Sequence, residues 1–353
     1  MDFNIIFKQY VSFLEQFVPK PPRLPVVGID IGTSAVKAVQ ISVVSSGLEL
    51  GAWGVERIEN GNIKDALTKL QSKVNFTGNV VTVTAVSGKG TLIRYVDMPI
   101  MPLEDLRKSF AFELDKYFPF DPQTIYTDCA ILEQKPKEKK MSVLVVAVRK
   151  EMVDERINLF KDAGVSLNRI TVNSLAIANA FERLGPVTPL TDKAKAILDF
   201  GGAVSSLLVV KDFSPRFTRD IFIGSHEITQ QIANILGIDP QKAESLKHDP
   251  QALDKPEIQE ACEAAVSNLV AEIRLSLDYF MTERNVLIDE LFLFGGGSLI
   301  SGIENIIGKQ IGITVKRWDP LNDLKLSPVV AATDVKNYST QLGAAIGLGL
   351  VKP

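Results

Sequence analysis

Residues 26–41, VVGIDIGTSAVKAVQI, place an acidic residue and a run of small and hydroxyl residues between two apolar strands. Asp30 ends the first strand, and burial of its carboxylate is unfavourable unless the group is paired, hydrogen-bonded or coordinated to a cation. A tight turn after it leaves the backbone N–H groups of Gly32, Thr33 and Ser34 at the strand end, where they can form a concave nest for an anion. Because glycine allows a ligand to approach the backbone closely, the stretch predicts a phosphate-binding hairpin.

A second stretch has the same order of residue types. Residues 195–210, KAILDFGGAVSSLLVV, also run from an apolar strand through Asp-x-Gly into a second strand, with Asp199 aligned to Asp30 and Gly201 to Gly32. The offset between the copies is close to half of the 353 residues, as expected from duplication of a domain. A single Asp-x-Gly is a common turn sequence, but two copies at matched positions favour a shared function.

Two such hairpins that face each other can hold a polyphosphate. The hydroxyls of Thr33, Ser34 and Ser205 can donate to phosphate oxygens. The carboxylates of Asp30 and Asp199 would face a hydrated Mg²⁺, which keeps several waters and needs few protein ligands. Neither copy is a Walker A loop or a GxGxxG turn that opens a helix. The residues therefore predict a duplicated phosphate-binding fold of another kind.

Two further segments are compatible with a nucleotide site. The stretch LFLFGGGSLI places three glycines and a serine, residues 295–298, after an apolar strand, where the backbone can lie against a flat ligand or a phosphate. The stretch QKAESLKHD, residues 241–249, puts Glu244 and Lys247 three residues apart on one helix face. By itself this arrangement is typical of a surface ion pair.

The composition excludes several classes of protein. A net charge of −3 offers no basic field for nucleic acid. The two cysteines, Cys129 and Cys262, lie far apart without CxxC spacing, and the chain has two histidines, so neither a disulfide framework nor a Cys or His metal site is expected. The sequence has no signal peptide and no apolar run long enough for a bilayer, which predicts a cytosolic protein.

The hydrophobic pattern predicts the order of elements. Residues 2–18 are expected to form an amphipathic helix, followed by a proline-rich spacer. The apolar face of that helix could dock on its own protein, on a partner or on a membrane surface. Residues 80–99 are expected to form a strand pair and residues 103–120 a helix. The chain is expected to be mainly helical from 225 to 284 and to return to a short apolar strand at 290–300.

Together the two Asp-Gly hairpins, the GGGS strand end, the AExxK helix and the terminal GAAIGLGL resemble the actin-like ATPase superfamily. Within it, SGKGTLIRYVDMP, ELDKYFPF, VVAVRKEMVDERINLFKDAG and QLGAAIGLGL resemble the type IV pilus assembly protein PilM family, which is related to FtsA. The resemblance covers nearly the whole chain after residue 24. It implies an α/β, duplicated actin-like (RNase H-like) ATPase fold, with two lobes around a nucleotide cleft and an FtsA-type inserted subdomain.

The resemblance also implies a division of the chain into an N-terminal segment and four subdomains. The N-terminal helix and its spacer take residues 1–23. The first actin-like subdomain comprises residues 24–84 and 166–190, the inserted subdomain 85–165, the second actin-like subdomain 191–225 and 286–353, and the helical subdomain 226–285.

The site residues that the resemblance implies would bind ATP with Mg²⁺. The first phosphate loop would consist of Asp30, Gly32, Thr33, Ser34 and Lys37, and the second of Asp199, Gly201, Gly202 and Ser205. The residues that meet the adenosine would be Gly295, Gly296, Gly297 and Ser298, with Glu244 and Lys247 beside the ribose and base. Asp30 and Asp199 would face the metal ion.

In the family the groove beside the inserted subdomain receives the short cytoplasmic N-terminal tail of PilN, an inner-membrane protein. The resemblance therefore implies a cytoplasmic protein at the inner face of the inner membrane, with a PilN-like partner. Other pilus platform and motor subunits are further candidate partners. Whether the protein forms a homo-oligomer stays open. Apolar residues that either contribute to this groove or belong to the core are Leu114, Tyr117, Phe118 and Phe120.

The activity that the resemblance implies is nucleotide binding with weak or absent hydrolysis. Relatives usually carry an acid near the position of Asn173, and an amide cannot act as a general base. His226 offers no substitute, because nothing in the sequence puts a carboxylate beside it. Two alternatives stay open: an FtsA-like filament-forming division protein, and a sugar or acetate kinase of the same superfamily. A kinase would need an acid placed to deprotonate a substrate hydroxyl, and the sequence offers no such constellation.

Overall fold

The structure, a computed structural model, describes residues 24–45, 47–74, 79–186, 192–249, 251 and 255–351. The amphipathic helix predicted for residues 2–18 lies outside the described residues. The strands are β1 (Val26–Ile31), β2 (Ala35–Val44), β3 (Gly47–Arg57), β4 (Val81–Val86), β5 (Thr91–Pro99), β6 (Ile125–Lys135), β7 (Lys140–Arg149), β8 (Arg169–Val172), β9 (Ala194–Phe200), β10 (Ser205–Lys211), β11 (Ser214–Ile221), β12 (Ile288–Phe294), β13 (Thr314–Arg317) and β14 (Lys325–Leu326). The α-helices are α1 (Ile63–Gln71), α2 (Leu103–Tyr117), α3 (Lys150–Asp162), α4 (Asn173–Leu184), α5 (His226–Leu236), α6 (Pro240–Lys247), α7 (Pro256–Arg284), α8 (Ile303–Ile311), α9 (Ala332–Lys336) and α10 (Gly343–Gly349).

Two sheets repeat one strand order. In the first sheet the order is β14-β3-β2-β1-β4-β8, and in the second it is β11-β10-β9-β12-β13. Each begins with three antiparallel strands joined by short turns and continues with two strands parallel to the first of them. In both sheets the Asp-x-Gly turn joins the first and second strands of the copy. The predicted duplication is therefore confirmed.

Helices α4 and α10 lie between the two sheets and join the lobes. Their apolar residues share one core with residues of both sheets, because apolar surface on each element is removed from water by the next. Gly28 on β1 and Gly347 on α10 allow backbone to meet backbone, since a Cβ on either would lie within 2.1 Å of a carbonyl oxygen of the neighbouring helix. This close packing explains the terminal GAAIGLGL. Buried residues of this shared core include Val39, Ile41, Ile177, Phe181, Ile197, Leu208, Phe294, Leu342 and Ile346.

A third sheet, of order β5-β7-β6, forms a separate unit with α2 packed against it. The predicted strand pair at 80–99 is wrong, because β4 pairs in the first sheet and β5 pairs with β7. The stretch SGKG between them is typical of a hairpin turn, but it carries the chain from one sheet to another, with Gly88 at φ +104°. Turn residues specify a change of direction and not the partner of the strand that follows.

The remaining predictions of elements differ from the structure mainly at their ends. Helix α2 ends at Tyr117, since Phe118 has an extended backbone. The helical stretch predicted from 225 to 284 contains α5, α6 and α7. The apolar strand predicted at 290–300 is β12, which ends at Phe294, immediately before the glycines.

Candidate functional site

The first Asp-Gly hairpin is a three-residue turn between β1 and β2. Asp30 and Lys37 are register partners in these strands, and Lys37 Nζ donates to Asp30 Oδ2 at 2.8 Å. Both side chains are largely buried, at 16% and 15% exposure for Lys37 and Asp30. Burial lowers the pKa of Lys37, but the Asp30 carboxylate outweighs burial and raises the pKa. This ion pair holds the carboxylate at the strand end and leaves Thr33 and Ser34 exposed at the tip.

The second hairpin places Asp199 one residue before the end of β9, opposite Ser206 of β10. Burial, and then the negative charge of Asp30, raise the pKa of Asp199 to about 7. The amide of Asn173, at the start of α4, hydrogen-bonds the Asp199 carboxylate and acts in the opposite direction. The two carboxylates therefore lie close enough to repel each other, and both face the cleft between the lobes.

The tips of the two hairpins contact each other across the cleft. The backbone N–H of Ala203 donates to Thr33 Oγ1 at 3.2 Å, and Ser34 Oγ lies 2.9 Å from His226 Nε2. A Cβ at Gly202 would lie 2.7 to 2.8 Å from Thr33 Oγ1, Ser34 Oγ and His226 Nε2. A side chain at this position would clash with all three polar atoms, so the close contact between the hairpins requires a glycine here.

The glycines after β12 lie beside the second hairpin. Gly295 has φ +89°, and a Cβ there would lie 2.3 Å from Asp199 Oδ1. A Cβ on Gly297 would meet the ring of Phe200 at 2.5 Å, whereas Gly296 faces open space. Ser298 Oγ is buried and donates to the carbonyl of Gly295. The backbone at Gly296 is therefore the part of this turn that a ligand can approach.

The pair Glu244 and Lys247 is not a surface ion pair. The Lys247 side chain is 1% exposed, and its ammonium group donates to Glu244 Oε2 at 2.6 Å, to Thr229 Oγ1 and to the carbonyl of Ser225. Burial raises the pKa of Glu244, but hydrogen bonds from His248, Lys247 and Thr229 outweigh it and hold the pKa well below its usual range. The backbone N–H of Ser225 donates in turn to Gly201, so the pair is connected to the second hairpin.

The polar groups at the bottom of the cleft suit a hydrated cation better than a bare one. No cluster of three or more His, Cys, Asp or Glu that could hold a metal occurs in the described ranges of the chain. Asp30 and Asp199 supply two carboxylates, and Asn173 Oδ1 is buried without a hydrogen-bond partner among the described residues. A Mg²⁺ ion that keeps most of its waters needs few protein ligands, and its waters can donate to such an amide oxygen.

The four candidate partner-binding residues separate into two groups. Leu114 and Phe118 are buried in the core of the unit formed by β5, β6, β7 and α2, so they present no surface to a partner. Tyr117 is partly buried and packs on Phe110, with ring centroids 5.1 Å apart. Phe120 lines a surface cavity of about 530 Å³ together with Pro119, Asp121, Thr124, Arg149, Lys150 and Glu151.

His226 is a site residue that the sequence did not reveal. Its contact with Ser34 joins residues 192 positions apart, and no motif in either stretch connects them. The only sequence signal was the position of His226 five residues after the end of a strand that follows the second hairpin.

The two halves have the same strand order and share one core, and each carries an Asp-Gly hairpin at the cleft. This arrangement is a duplicated actin-like fold. Residues 28–352 match the family model of the type IV pilus assembly protein PilM, and the chain belongs to that family. The described part of the chain contains no helix with the length and apolar character of a membrane span.

Solved structures agree with this assignment of the fold. A structure described as the PilM-PilN type IV pilus biogenesis complex is similar with a TM-score of 0.79 and 24% sequence identity, covering 94% of this chain and 100% of that one. The ethanolamine utilization protein EutJ from Carboxydothermus hydrogenoformans is similar with a TM-score of 0.51 and 13% identity, covering 94% of this chain and 90% of that one.

Proposed function

We propose that this chain is an ATP-binding scaffold of the type IV pilus assembly platform, which binds the cytoplasmic N-terminal tail of a PilN-like protein at the inner face of the inner membrane. The observation that carries the nucleotide part is the contact between the two Asp-Gly hairpins around Gly202. Family membership supports the pilus role and does not favour a division filament or a sugar or acetate kinase.

In the proposed site, backbone N–H groups and hydroxyls of the two hairpins bind the phosphates. Thr33 and Ser34 would exchange their present hydrogen bonds across the cleft for bonds to phosphate oxygens. Asp30 and Asp199 would orient water on a Mg²⁺ ion, which supplies positive charge against the phosphates. The exposed backbone at Gly296 would lie against the adenosine, with Glu244 and Lys247 beside the ribose and base.

Loss of either carboxylate is expected to abolish binding of Mg-ATP. Titration calorimetry on the full chain should give micromolar affinity, and Asp30→Ala and Asp199→Ala should each weaken it by at least about a hundredfold, because each removes a charged partner of the cation. The matched control is Asp289→Ala, near the other end of β12 from the glycines, which should bind as the unmutated protein does. Absence of binding by the unmutated protein would contradict the nucleotide part of the proposal.

The catalytic part of the proposal is that hydrolysis is weak. Asn173 hydrogen-bonds Asp199, at the position where relatives usually carry an acid. An amide cannot accept a proton from an attacking water. Bound nucleotide would therefore act by stabilising one conformation of the cleft over another. The size of this effect depends on how much its affinity differs between the two conformations.

The surface cavity beside Phe120 is the proposed groove for the partner tail. Phe120 lines it with Arg149, whose guanidinium lies 5.2 Å from the centroid of the Phe120 ring. An aromatic wall with a cation stacked on it offers both apolar area and hydrogen-bond donors to a peptide. Tyr117, the last residue of α2 and three residues before Phe120, would extend this wall. The sheet of order β5-β7-β6 with its own core supports treating this unit as the inserted subdomain of the proposed division.

The same unit contacts the second lobe, which offers a route from the cleft to the groove. Asp220 accepts hydrogen bonds from Ser206 Oγ at 2.7 Å and from the backbone N–H of Gly88 at 2.9 Å. Ser206 is the register partner of Asp199, and Gly88 lies in the connection that leads into β5. Movement of the second hairpin would therefore be transmitted through Asp220 to the inserted unit.

Binding of a labelled synthetic peptide of the PilN-like tail tests the groove and its coupling to nucleotide. Phe120→Ala is expected to weaken the peptide about tenfold, because it removes an aromatic wall of the cavity. The control Phe112→Ala, 87% exposed on α2, should leave affinity unchanged. Saturating Mg-ATP should change the affinity of the unmutated protein, and Asp220→Ala should reduce that change. Equal peptide affinity with and without nucleotide would contradict the coupling between the nucleotide site and the groove. It would not contradict binding of the peptide in the groove.

A further inference from the structure

Three polar side-chain atoms from the two lobes lie close together around Gly202. Thr33 Oγ1 and Ser34 Oγ come from the first lobe, and His226 Nε2 comes from the first residue of α5 in the second lobe. All three lie 2.7 to 2.8 Å from the place that a Cβ on Gly202 would take. The two hydroxyls and the imidazole therefore form one polar cluster where the two hairpins meet.

The imidazole is the member of this group whose charge can change. Burial, and then the positive charge of Lys247 on α6, lower the pKa of His226, against the opposite effect of Glu244 on α6 and Glu227 on its own helix. The hairpins that face the ring contribute hydroxyls and backbone groups. The ring is therefore neutral near pH 7 in the structure described.

The two lysines near the hairpins are already paired. Lys37 donates to Asp30, and Lys247 donates to Glu244, so carboxylates offset both charges. Beside Ser34, the ring of His226 is the group that can become a cation toward a polyphosphate bound between the hairpins. An anion within hydrogen-bond distance of an imidazole favours its charged form.

We propose that His226 is a phosphate-binding residue of the cleft, and that it takes up a proton from solvent as the nucleotide binds. This inference rests on the proposed binding of ATP. The neutral ring gains one proton on its free nitrogen, and the imidazolium then donates from Nε2 to a phosphate oxygen. In the structure the same atom makes the contact with Ser34 Oγ that joins the two lobes.

The chain has two histidines. Because few imidazole signals have to be assigned, proton uptake by His226 can be followed directly. Proton NMR of the full chain should resolve two imidazole Cε1–H titrations, and the one missing in His226→Asn belongs to His226. Saturating Mg-ATP is expected to raise the pKa of that ring by one unit or more. Calorimetric titration with Mg-ATP in Pipes and in Tris at pH 7.5 should differ in apparent enthalpy, since the two buffers release a proton with different heats.

Two substitutions separate a phosphate contact from a purely structural one. His226→Asn retains a hydrogen-bonding group for Ser34 but cannot be charged, so Mg-ATP affinity should fall about tenfold at pH 6.5 and lose its pH dependence. His226→Lys supplies a permanent cation and should retain tight binding up to pH 8 without proton uptake. Thermal unfolding in the absence of nucleotide should be alike for the unmutated protein and both variants.

The outcomes distinguish this inference from the proposed function. If the unmutated protein binds Mg-ATP in a manner that Asp30→Ala abolishes, but the pKa of His226 stays constant and His226→Asn binds normally, the inference is overturned and His226 only holds the lobes together. If the unmutated protein does not bind Mg-ATP, the proposed function and the inference fail together.

Discussion

Gly347→Ala is expected to lower the free energy of unfolding by about 3 kcal/mol. The added Cβ would lie 1.8 Å from the carbonyl oxygen of Ala176 and 2.5 Å from its carbonyl carbon. These are backbone atoms of α4, so no side-chain rotation can relieve the contact. Helices α4 and α10 would have to separate, and the core that joins the lobes would lose its packing. The helical propensity of alanine, which favours the substitution by about 1 kcal/mol, is too small to compensate.

The matched control for this prediction is Gly308→Ala in α8. A Cβ there would lie 3.5 Å from the nearest atom, Val315 Cγ2, which is ordinary contact. Replacing a helical glycine that has room for a methyl group should stabilise the protein by about 0.5 to 1 kcal/mol. Urea unfolding followed by the fluorescence of Trp318, buried in the shared core, measures both effects. Equal stability of Gly347→Ala and the unmutated protein would rule out the backbone-to-backbone packing.

Asp199→Asn is expected to stabilise the protein at pH 8 while abolishing Mg-dependent nucleotide binding. The folded state raises the pKa of Asp199 to about 7 from the ordinary value of 3.8. Between these values the folded protein holds a proton that the unfolded chain has released, so stability falls as pH rises from about 4 to about 7. At about 1.4 kcal/mol for each pH unit, the loss over the window is about 4 kcal/mol. An asparagine carries no charge in the cleft and avoids this loss.

Urea unfolding of both proteins between pH 4 and pH 8, without nucleotide or Mg²⁺, measures the effect. The curves should converge near pH 4 and separate as pH rises, with the variant more stable. The control Asp289→Asn should give a curve parallel to that of the unmutated protein between pH 4 and pH 8, because Lys193 lowers the pKa of Asp289 and the carboxyl is then ionised in both the folded and the unfolded chain. Parallel curves for Asp199→Asn and the unmutated protein would mean that the Asp199 carboxyl is not destabilised by burial and by Asp30.

Stability and binding therefore have opposite requirements at Asp199. Two buried carboxylates this close together are unfavourable by themselves, because burial and mutual repulsion oppose ionisation. A cation between them would reverse this balance. A residue that costs stability in the free protein is expected where a charged ligand binds.

Local sequence patterns were sufficient to predict the repeated unit and many residues of the candidate site. Apolar runs on both sides of Asp-x-Gly predict a strand, a turn and a second strand, and local patterns of this kind depend on nearby residues alone. Two matched copies were enough to predict the duplication and to select Asp30 and Asp199. Strand β12 and the glycines that follow it were also predicted from local sequence.

Contacts between segments that are distant in sequence became known only from the tertiary structure. The partner of β5, the burial of Leu114 and Phe118, and the contact of His226 with Ser34 each depend on segments that are distant in sequence. An apolar pattern indicates that a face is covered, but several strands or helices of similar pattern can cover it. Packing of the whole chain selects one of them, because only one arrangement buries the apolar faces while leaving the buried carboxylates paired or hydrogen-bonded.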